Sequence, residues 1–204
     1  MKSHITQALE GDPILSGNSS SVVENMDSVA VFCSTSATKI PWYVNALQVS
    51  SNDKMTMSPD SKTLIMHWVH RHDMTIQCGI DSAFGVFLKK NEVTFLTVAY
   101  GPDRVALNSK PTSEFRGILS AEIGSQVQMD CTSTSHPKPK YRWIHNGSFL
   151  SSGANLSFPS LTWGQMGRDR CIVENSMTQL TMYKDIWIQR ACECSRSRSG
   201  AHTL

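Results

Sequence analysis

Residues 131–145 read CTSTSHPKPKYRWIH, with Cys131 at the start and Trp143 twelve residues later, and another cysteine follows at Cys171. The same succession of residue types occurs once upstream, as Cys33, Trp42 and Cys78. Equivalent residues of the two copies are 98, 101 and 93 positions apart. The chain of 204 residues therefore contains an internal repeat with a period of about 100 residues.

Two cysteines about forty residues apart, with a tryptophan shortly after the first, are typical of an immunoglobulin-type β-sandwich. In that fold the cysteines join strands B and F of opposing sheets, and the strand-C tryptophan packs on the disulfide. The repeat predicts an all-β chain of two tandem antiparallel sandwiches. Each has one disulfide and one core tryptophan: Cys33–Cys78 with Trp42, and Cys131–Cys171 with Trp143.

The same pattern predicts where the domains begin and end. Tyr100-Gly101-Pro102-Asp103 follows a predicted strand G over residues 92–98, and a Gly-Pro step ends a strand in a short stiff bend. A polar Gly-Asn-Ser stretch ends the N-terminal segment at residue 21. We predict four segments: a flexible segment over 1–21, a first domain over 22–100, a second domain over 101–189, and a disordered basic tail over 190–204.

Apolar alternation predicts the core strands of each sandwich. In the first domain the inward residues include Val29, Val31, Leu64, Met66, Ile76 and Ile80. In the second they include Val127, Met129, Leu156, Phe158 and Val173, and Asn146-Gly147 predicts a two-residue hairpin turn.

Cysteine use and sequons indicate an oxidising compartment. Four of the six cysteines occupy the disulfide positions, and three Asn-x-Ser/Thr sequons are candidates for glycosylation, at Asn18, Asn146 and Asn155. No secretory leader and no apolar run of membrane-spanning length is visible in the sequence. We therefore expect an extracellular or cell-surface protein that reaches its location as part of a longer precursor.

Charge and motifs argue against several function classes. The net charge of +2 is accounted for by residues 190–204, so the remainder is neutral and lacks the basic balance of a nucleic-acid-binding domain. No Gly-x-Ser-x-Gly, glycine-rich phosphate loop or His-Glu-x-x-His occurs. We expect no enzyme activity, no cofactor, no small-molecule substrate and no nucleic-acid partner.

Two clusters of possible metal ligands have simpler interpretations. His67, His70 and His72 are spaced poorly for a common site, because on a strand only the last two share a face. We expect an exposed E–F connection in which the adjacent Asp73 pairs with Lys54. Cys192 and Cys194 lie in the tail without further ligands, and an interchain disulfide or an unstructured tail from alternative splicing is favoured over metal capture.

Several motifs resemble the C2-type immunoglobulin domains of the carcinoembryonic antigen-related cell adhesion molecules, over about residues 20–190. They are Tyr100-Gly101-Pro102-Asp103, Ser109-Lys110-Pro111, Gly124-Ser125 and Trp143-Ile144-His145-Asn146-Gly147. Two stretches, VENMDSV at 23–29 and TIQC at 75–78, are similar to one particular member. The resemblance implies tandem C2/I-type domains.

The resemblance also implies a function. Such a protein is a recognition or adhesion protein on the cell surface or secreted, and its C2-type domains act mostly as spacers that also bind protein partners, homophilic or heterophilic. The alternative is a truncated or splice-variant fragment, retained in the cell and without adhesive function of its own.

One departure concerns the tyrosine that such folds commonly carry two residues before the second cysteine. The first domain has Ile76 there and the second has Asp169. We expect Ile76 to keep the burial of that tyrosine, and Asp169 to keep neither its burial nor its hydrogen bond. The second domain is therefore predicted to be the less stable one.

Overall fold

The computed structural model describes residues 14–17, 21–81, 88–90, 94–114 and 116–191. The chain divides into two compact units, Met1–Tyr100 and Gly101–Leu204. The described residues form antiparallel sheets with two parallel strand pairs, and their one helical element is a 3-10 turn at Trp163–Gln165. The predicted all-β, immunoglobulin-like fold is confirmed.

The first unit consists of eleven strands within the described residues: β1 (Ile14–Gly17), β2 (Ser21–Val23), β3 (Val29–Ser34), β4 (Trp42–Val44), β5 (Leu47–Val49), β6 (Met55–Met57), β7 (Thr63–Met66), β8 (Thr75–Asp81), β9 (Leu88–Lys90), β10 (Thr94–Phe95) and β11 (Thr97–Ala99). They form two main sheets, with strand order β1-β3-β7-β6 in one and β10-β8-β4-β5 in the other, where β9 also pairs with β8. A parallel pair, β2 with β11, completes the unit.

Alternation along β3 and β7 builds the core of the first unit. Val29, Val31 and Cys33 are buried while Phe32 is exposed, as period-two patterning requires. Cys33 forms a disulfide with Cys78 of β8. Trp42 is fully buried, and its indole N–H donates to the Ser61 carbonyl oxygen at 2.8 Å. The buried polar atom of this core tryptophan is therefore satisfied.

Strand G of the first unit was predicted as one continuous strand, but the structure divides it into two pieces. Within the described residues it consists of β10 and β11, separated by Leu96, whose N–H donates to the Met74 carbonyl oxygen at 2.9 Å. The two pieces pair with different strands, β10 with β8 and β11 with β2. Apolar content alone could not show this break, because a change of pairing partner leaves no mark on side-chain alternation.

The strands of the second unit are β12 (Val105–Lys110), β13 (Ile118–Ala121), β14 (Val127–Ser133), β15 (Lys140–His145), β16 (Ser148–Ser152), β17 (Asn155–Phe158), β18 (Gly167–Asn175) and β19 (Leu180–Arg190). They form a three-stranded sheet, β12-β14-β17, and a five-stranded sheet, β13-β19-β18-β15-β16.

The core of the second unit lies between these two sheets. Cys131 of β14 and Cys171 of β18 form a disulfide, and Trp143 of β15 is fully buried beside them in the same cluster. Burying a large aromatic side chain with its neighbours stabilises the sandwich by about 3 kcal/mol or more. Asn146 and Gly147 connect β15 to β16 with φ of 45° and 93°, so the predicted two-residue hairpin turn is confirmed.

Candidate protein-binding face

The outer face of the five-stranded sheet carries the most distinctive surface chemistry of the second unit. Along β19, Ile186 and Ile188 point into the core, so Tyr183, Asp185 and Trp187 point outward. Strand register then sets the neighbours of each outward residue. Trp187 pairs with Arg168, Asp185 with Arg170 and Tyr183 with Ile172. Aromatic and charged side chains therefore alternate across two adjacent strands.

The row through Arg170 continues across the sheet. Arg170 pairs with Ile144 of β15, and Ile144 pairs with Phe149 of β16. Directly paired residues present their side chains on the same face. We call Phe149, Arg168, Arg170, Tyr183 and Trp187 together the aromatic–arginine face. Its three aromatic side chains are 70%, 57% and 52% exposed at Phe149, Tyr183 and Trp187, although rings of this size usually lie buried.

The arginine side chains of this face are held by their neighbours. Arg170 donates from Nε to Asp185 Oδ1 at 2.6 Å and from Nη2 to Oδ2 at 2.8 Å, while its guanidinium lies 3.9 Å from the centre of the Tyr183 ring. These hydrogen bonds hold the pKa of Asp185 below its ordinary value. Arg168 lies 6.0 Å from the Trp187 ring centre. The geometry is preorganised, which lowers the entropic cost of binding.

Ile172 shows that this face is packed and not merely a set of projecting side chains. It is buried, yet it does not belong to the hydrophobic core cluster of the second unit. Its register partners are Tyr183 on one side and Arg142 on the other. Its burial therefore indicates that the outward side chains of its neighbours cover it from the solvent side.

Beneath the sheet, Asp169 corrects the expectation from sequence. Its side chain is completely buried, so the expected loss of burial is wrong. Its Oδ1 lies 2.8 Å from His145 Nδ1, which is a different hydrogen bond from the one that the tyrosine hydroxyl makes to the upstream chain. Strand register explains this, because His145 and Asp169 are paired across β15 and β18. Burial raises the pKa of Asp169, and the His145 hydrogen bond opposes that shift. Among the described residues, Asp169 Oδ2 and Trp143 Nε1 have no partner.

The predicted pairing of Asp73 with Lys54 is confirmed. Lys54 Nζ lies 2.7 and 2.6 Å from the two carboxylate oxygens, and Asp73 also accepts the His70 backbone N–H at 2.8 Å. A second ion pair of the first unit was not predicted. Arg71 binds Glu24 through several hydrogen bonds, including Nε to Oε1 at 2.9 Å, and its guanidinium lies 4.0 Å from the centre of the Tyr100 ring.

The three histidines near Asp73 contact different residues. The His67 ring contacts the Thr56 hydroxyl, His70 Nδ1 lies 3.7 Å from Glu24, and the His72 carbonyl oxygen accepts from Asn45. Across the described ranges, no three side chains of the His, Cys, Asp and Glu types are grouped as a metal site would require. Both carboxylate oxygens of Asp73, the fourth candidate ligand, accept hydrogen bonds from Lys54.

The remaining residues singled out from sequence are distributed as follows. Asn146 and Asn155 are both exposed in the second unit. Asn18, Cys192 and Cys194 lie outside the described residues. In the part of the chain that is described, no helix has the length and apolar character needed to cross a membrane.

Sequence reasoning missed the aromatic–arginine face, although part of its signal was present. Ile186 and Ile188 predict an inward face for β19, and the intervening Trp187 must then point outward. The pairing of Arg170 with Asp185 and Tyr183 depends on the register between β18 and β19, which no local pattern contains.

Comparison with known proteins agrees with this architecture. The family profile described as "Immunoglobulin domain" matches residues 107–188. The match to a structure of the N-terminal four immunoglobulin domains of Dscam1 extends over 91% of this chain and 47% of the Dscam1 chain, with a TM-score of 0.53 and 20% identity. The match to the I-band fragment I67–I69 of titin extends over 90% of this chain and 66% of the titin chain, with a TM-score of 0.58 and 13% identity. At these identities the likeness concerns the fold: this is a protein of immunoglobulin-like architecture.

Curated sequences give the narrower relationship. Cell adhesion molecule CEACAM18 of Mus musculus is 52% identical over 182 residues, which are 89% of this chain and 48% of that protein. CEACAM18 of Homo sapiens is 55% identical over 176 residues, 86% of this chain and 45% of that protein. CEACAM16 of Mus musculus is 30% identical over 172 residues, 83% and 40% of the two chains. The chain spans about half the length of the curated relatives it matches.

The chain is therefore similar in sequence to members of the carcinoembryonic antigen-related cell adhesion molecule family. These matches confirm the resemblance stated from the motifs, and the particular member that VENMDSV and TIQC resemble is molecule 18 of that family.

Proposed function

We propose that this chain is part of an extracellular or cell-surface recognition protein, and that its second unit binds a protein partner through the aromatic–arginine face. The observation that carries the proposal is the exposure of Phe149, Tyr183 and Trp187 on one ordered sheet face. Tyrosine, tryptophan and arginine are the residues most enriched among those that dominate protein–protein binding energy.

The chemistry of the face suggests the chemistry of its partner. Arg170 is already neutralised by Asp185, whereas Arg168 makes no ion pair within the described residues. A complementary surface would place apolar side chains against the exposed aromatic rings, and a carboxylate near Arg168. Such a surface could belong to a second copy of the chain or to another protein.

We propose a mainly spacing role for the first unit, with domain limits of 22–100 and 101–189 between a segment at 1–21 and a tail at 190–204. The two disulfides and the sequons support an extracellular location. We propose no catalytic role and no cofactor. The curated relatives named above are called cell adhesion molecules, which agrees with recognition as the function.

The test compares two tryptophans. The full chain, secreted behind a heterologous leader and assembled into fluorescent tetramers, is assayed for binding to a panel of mammalian cells and for aggregation of beads coated with the same chain. We expect Trp187→Ala to reduce binding at least about tenfold. Trp163→Ala removes an equally large side chain, 64% exposed, outside the face and leaves binding unchanged.

Both variants should keep the melting temperature of the wild type, because both rings are largely exposed. Wild-type binding by Trp187→Ala, or failure of the wild-type tetramers to bind cells or beads, would overturn the proposal.

A further inference from the structure

The two sequons of the second unit lie in different environments. Asn155 is the first residue of β17, the edge strand of the three-stranded sheet. Leu156 and Phe158 point into the core, so Asn155 and the sequon hydroxyl of Ser157 point outward together. Within the described part of the chain the Asn155 amide makes no hydrogen bond, and it is exposed. Its Nδ2 is free to carry a substituent.

The Asn146 amide is instead part of the β15–β16 turn. Its Oδ1 accepts the Arg168 backbone N–H at 3.0 Å, and its Nδ2 lies 2.9 Å from His145 Nε2 and 3.4 Å from the Met166 carbonyl oxygen. The side chain also lies against Gly167, where an added Cβ would come within 2.8 Å of Nδ2. A sugar on Nδ2 would replace one of its N–H groups and occupy space filled by this turn.

We infer that Asn155 carries an N-linked glycan in the folded protein and that Asn146 does not. The inference rests on the extracellular location proposed above. Because sugar is transferred before the chain folds, a chain modified at Asn146 cannot close the turn onto β18, and folded secreted protein is depleted of it. A chain modified at Asn155 meets no such obstacle.

The position of this glycan also separates the two faces of the second unit. The outward residues of β14, next to Asn155, are Gln128, Asp130 and Thr132, all exposed and polar. A glycan there covers a hydrophilic surface of the three-stranded sheet, opposite the five-stranded sheet that carries the aromatic–arginine face. The sugar therefore leaves that face accessible.

Two serine substitutions provide matched tests, because each destroys one sequon and leaves its asparagine in place. Ser157→Ala removes the Asn155 sequon and Ser148→Ala removes the Asn146 sequon, and both serines are exposed strand residues. The full chain is secreted from mammalian cells behind a heterologous leader, with Asn18→Gln in every version. Occupancy is measured by the gel shift on digestion with peptide N-glycosidase and by mass spectrometry of the deamidated peptides.

We expect one glycan in the parent chain, its complete loss in Ser157→Ala, and its retention in Ser148→Ala. Because Asn146-Gly147 can also deamidate spontaneously, only deamidation at Asn146 that requires the glycosidase and is absent from the undigested sample counts as occupancy. Such deamidation, a second glycan in the parent chain, or absence of any glycan would overturn the inference. Because the leader is supplied, occupancy is measured whether or not the chain binds a partner. The Trp187→Ala comparison tests the binding function separately, and Ser157→Ala should bind as the parent chain does.

Discussion

His145 Nδ1 lies 2.8 Å from Asp169 Oδ1 across two paired strands, and the carboxylate is completely buried while the imidazole side chain retains 17% of its exposure. Asp169 stands two residues before Cys171, where related folds commonly place a tyrosine. A buried contact between two ionisable side chains therefore takes the place of a packed aromatic ring. The stability of the buried Asp169 carboxylate then depends on its contact with His145.

We predict that His145→Leu destabilises the second unit by about 3 kcal/mol, because it leaves the Asp169 carboxylate buried and without its partner. The measurement is hydrogen exchange of second-unit peptides in the full chain. The double substitution His145→Leu with Asp169→Leu should recover most of the loss, since apolar residues can replace a buried pair at little cost. Exchange rates unchanged by His145→Leu alone would contradict the importance of the contact.

Acid should weaken the first unit through Glu24. Hydrogen bonds from Arg71 lower the pKa of Glu24 from 4.5 to about 2. A carboxylate with a depressed pKa contributes stability that is complete above pH 4.5 and is lost as pH falls towards 2. The full shift corresponds to about 3 kcal/mol, and solvent screening of the partly exposed pair makes the expected loss smaller than that. Unfolding of the full chain, followed against pH by exchange of first-unit peptides, should show this slope, and Glu24→Gln should flatten it.

The change of stability with pH that we predict from Asp169 has the opposite sign to that from Glu24. Burial raises its pKa above 3.8, so the folded state binds the proton more tightly than the unfolded state. Its contribution to the stability of the second unit therefore increases as pH falls through the raised pKa towards 3.8 and is lost as pH rises. If exchange of second-unit peptides showed stability falling with pH as steeply as in the first unit, these assignments would be contradicted.

The pairing of Lys54 with Asp73 should show strong coupling in a double-mutant cycle. Lys54→Met leaves a largely buried carboxylate with the His70 N–H as its remaining donor, and we expect a loss of about 2 kcal/mol in the first unit. Asp73→Ala should cost more, because it also leaves that N–H without its acceptor. Lys39→Met, at an exposed lysine, is the control and should change little. Additive effects of the two substitutions would refute the coupling.

Two glycines of the second unit separate backbone strain from crowding. Gly101 and Gly124 have φ of 73° and 84°, so alanine is strained at both by about 1 kcal/mol. Only at Gly101 would the new Cβ collide with a backbone oxygen, that of Thr134, whereas nothing lies within 4 Å at Gly124. We expect Gly101→Ala to lose about 2 kcal/mol more than Gly124→Ala in thermal unfolding. Equal losses would show that the Thr134 segment yields without cost.

Much of the fold could be predicted because its determinants are local. Val29, Val31 and Cys33 alternate with exposed neighbours, and period-two alternation in sequence is a direct record of which side chains a strand buries. Asn146-Gly147 specifies its hairpin because few residues adopt positive φ at two successive positions. Asp169 was misjudged for the opposite reason: its partner, His145, lies 24 residues away and is supplied by strand register.

The sequence by itself determined that this chain forms two sandwiches, since spaced cysteines, core tryptophans and alternation are each readable along the chain. Tertiary structure decided what those sandwiches present. It set Arg170 between Asp185 and Tyr183, and it closed the turn around Asn146 while leaving Asn155 free. The physical reason is that burial follows from local periodicity, whereas contacts between side chains on different strands depend on register, which is settled only when the sheets assemble.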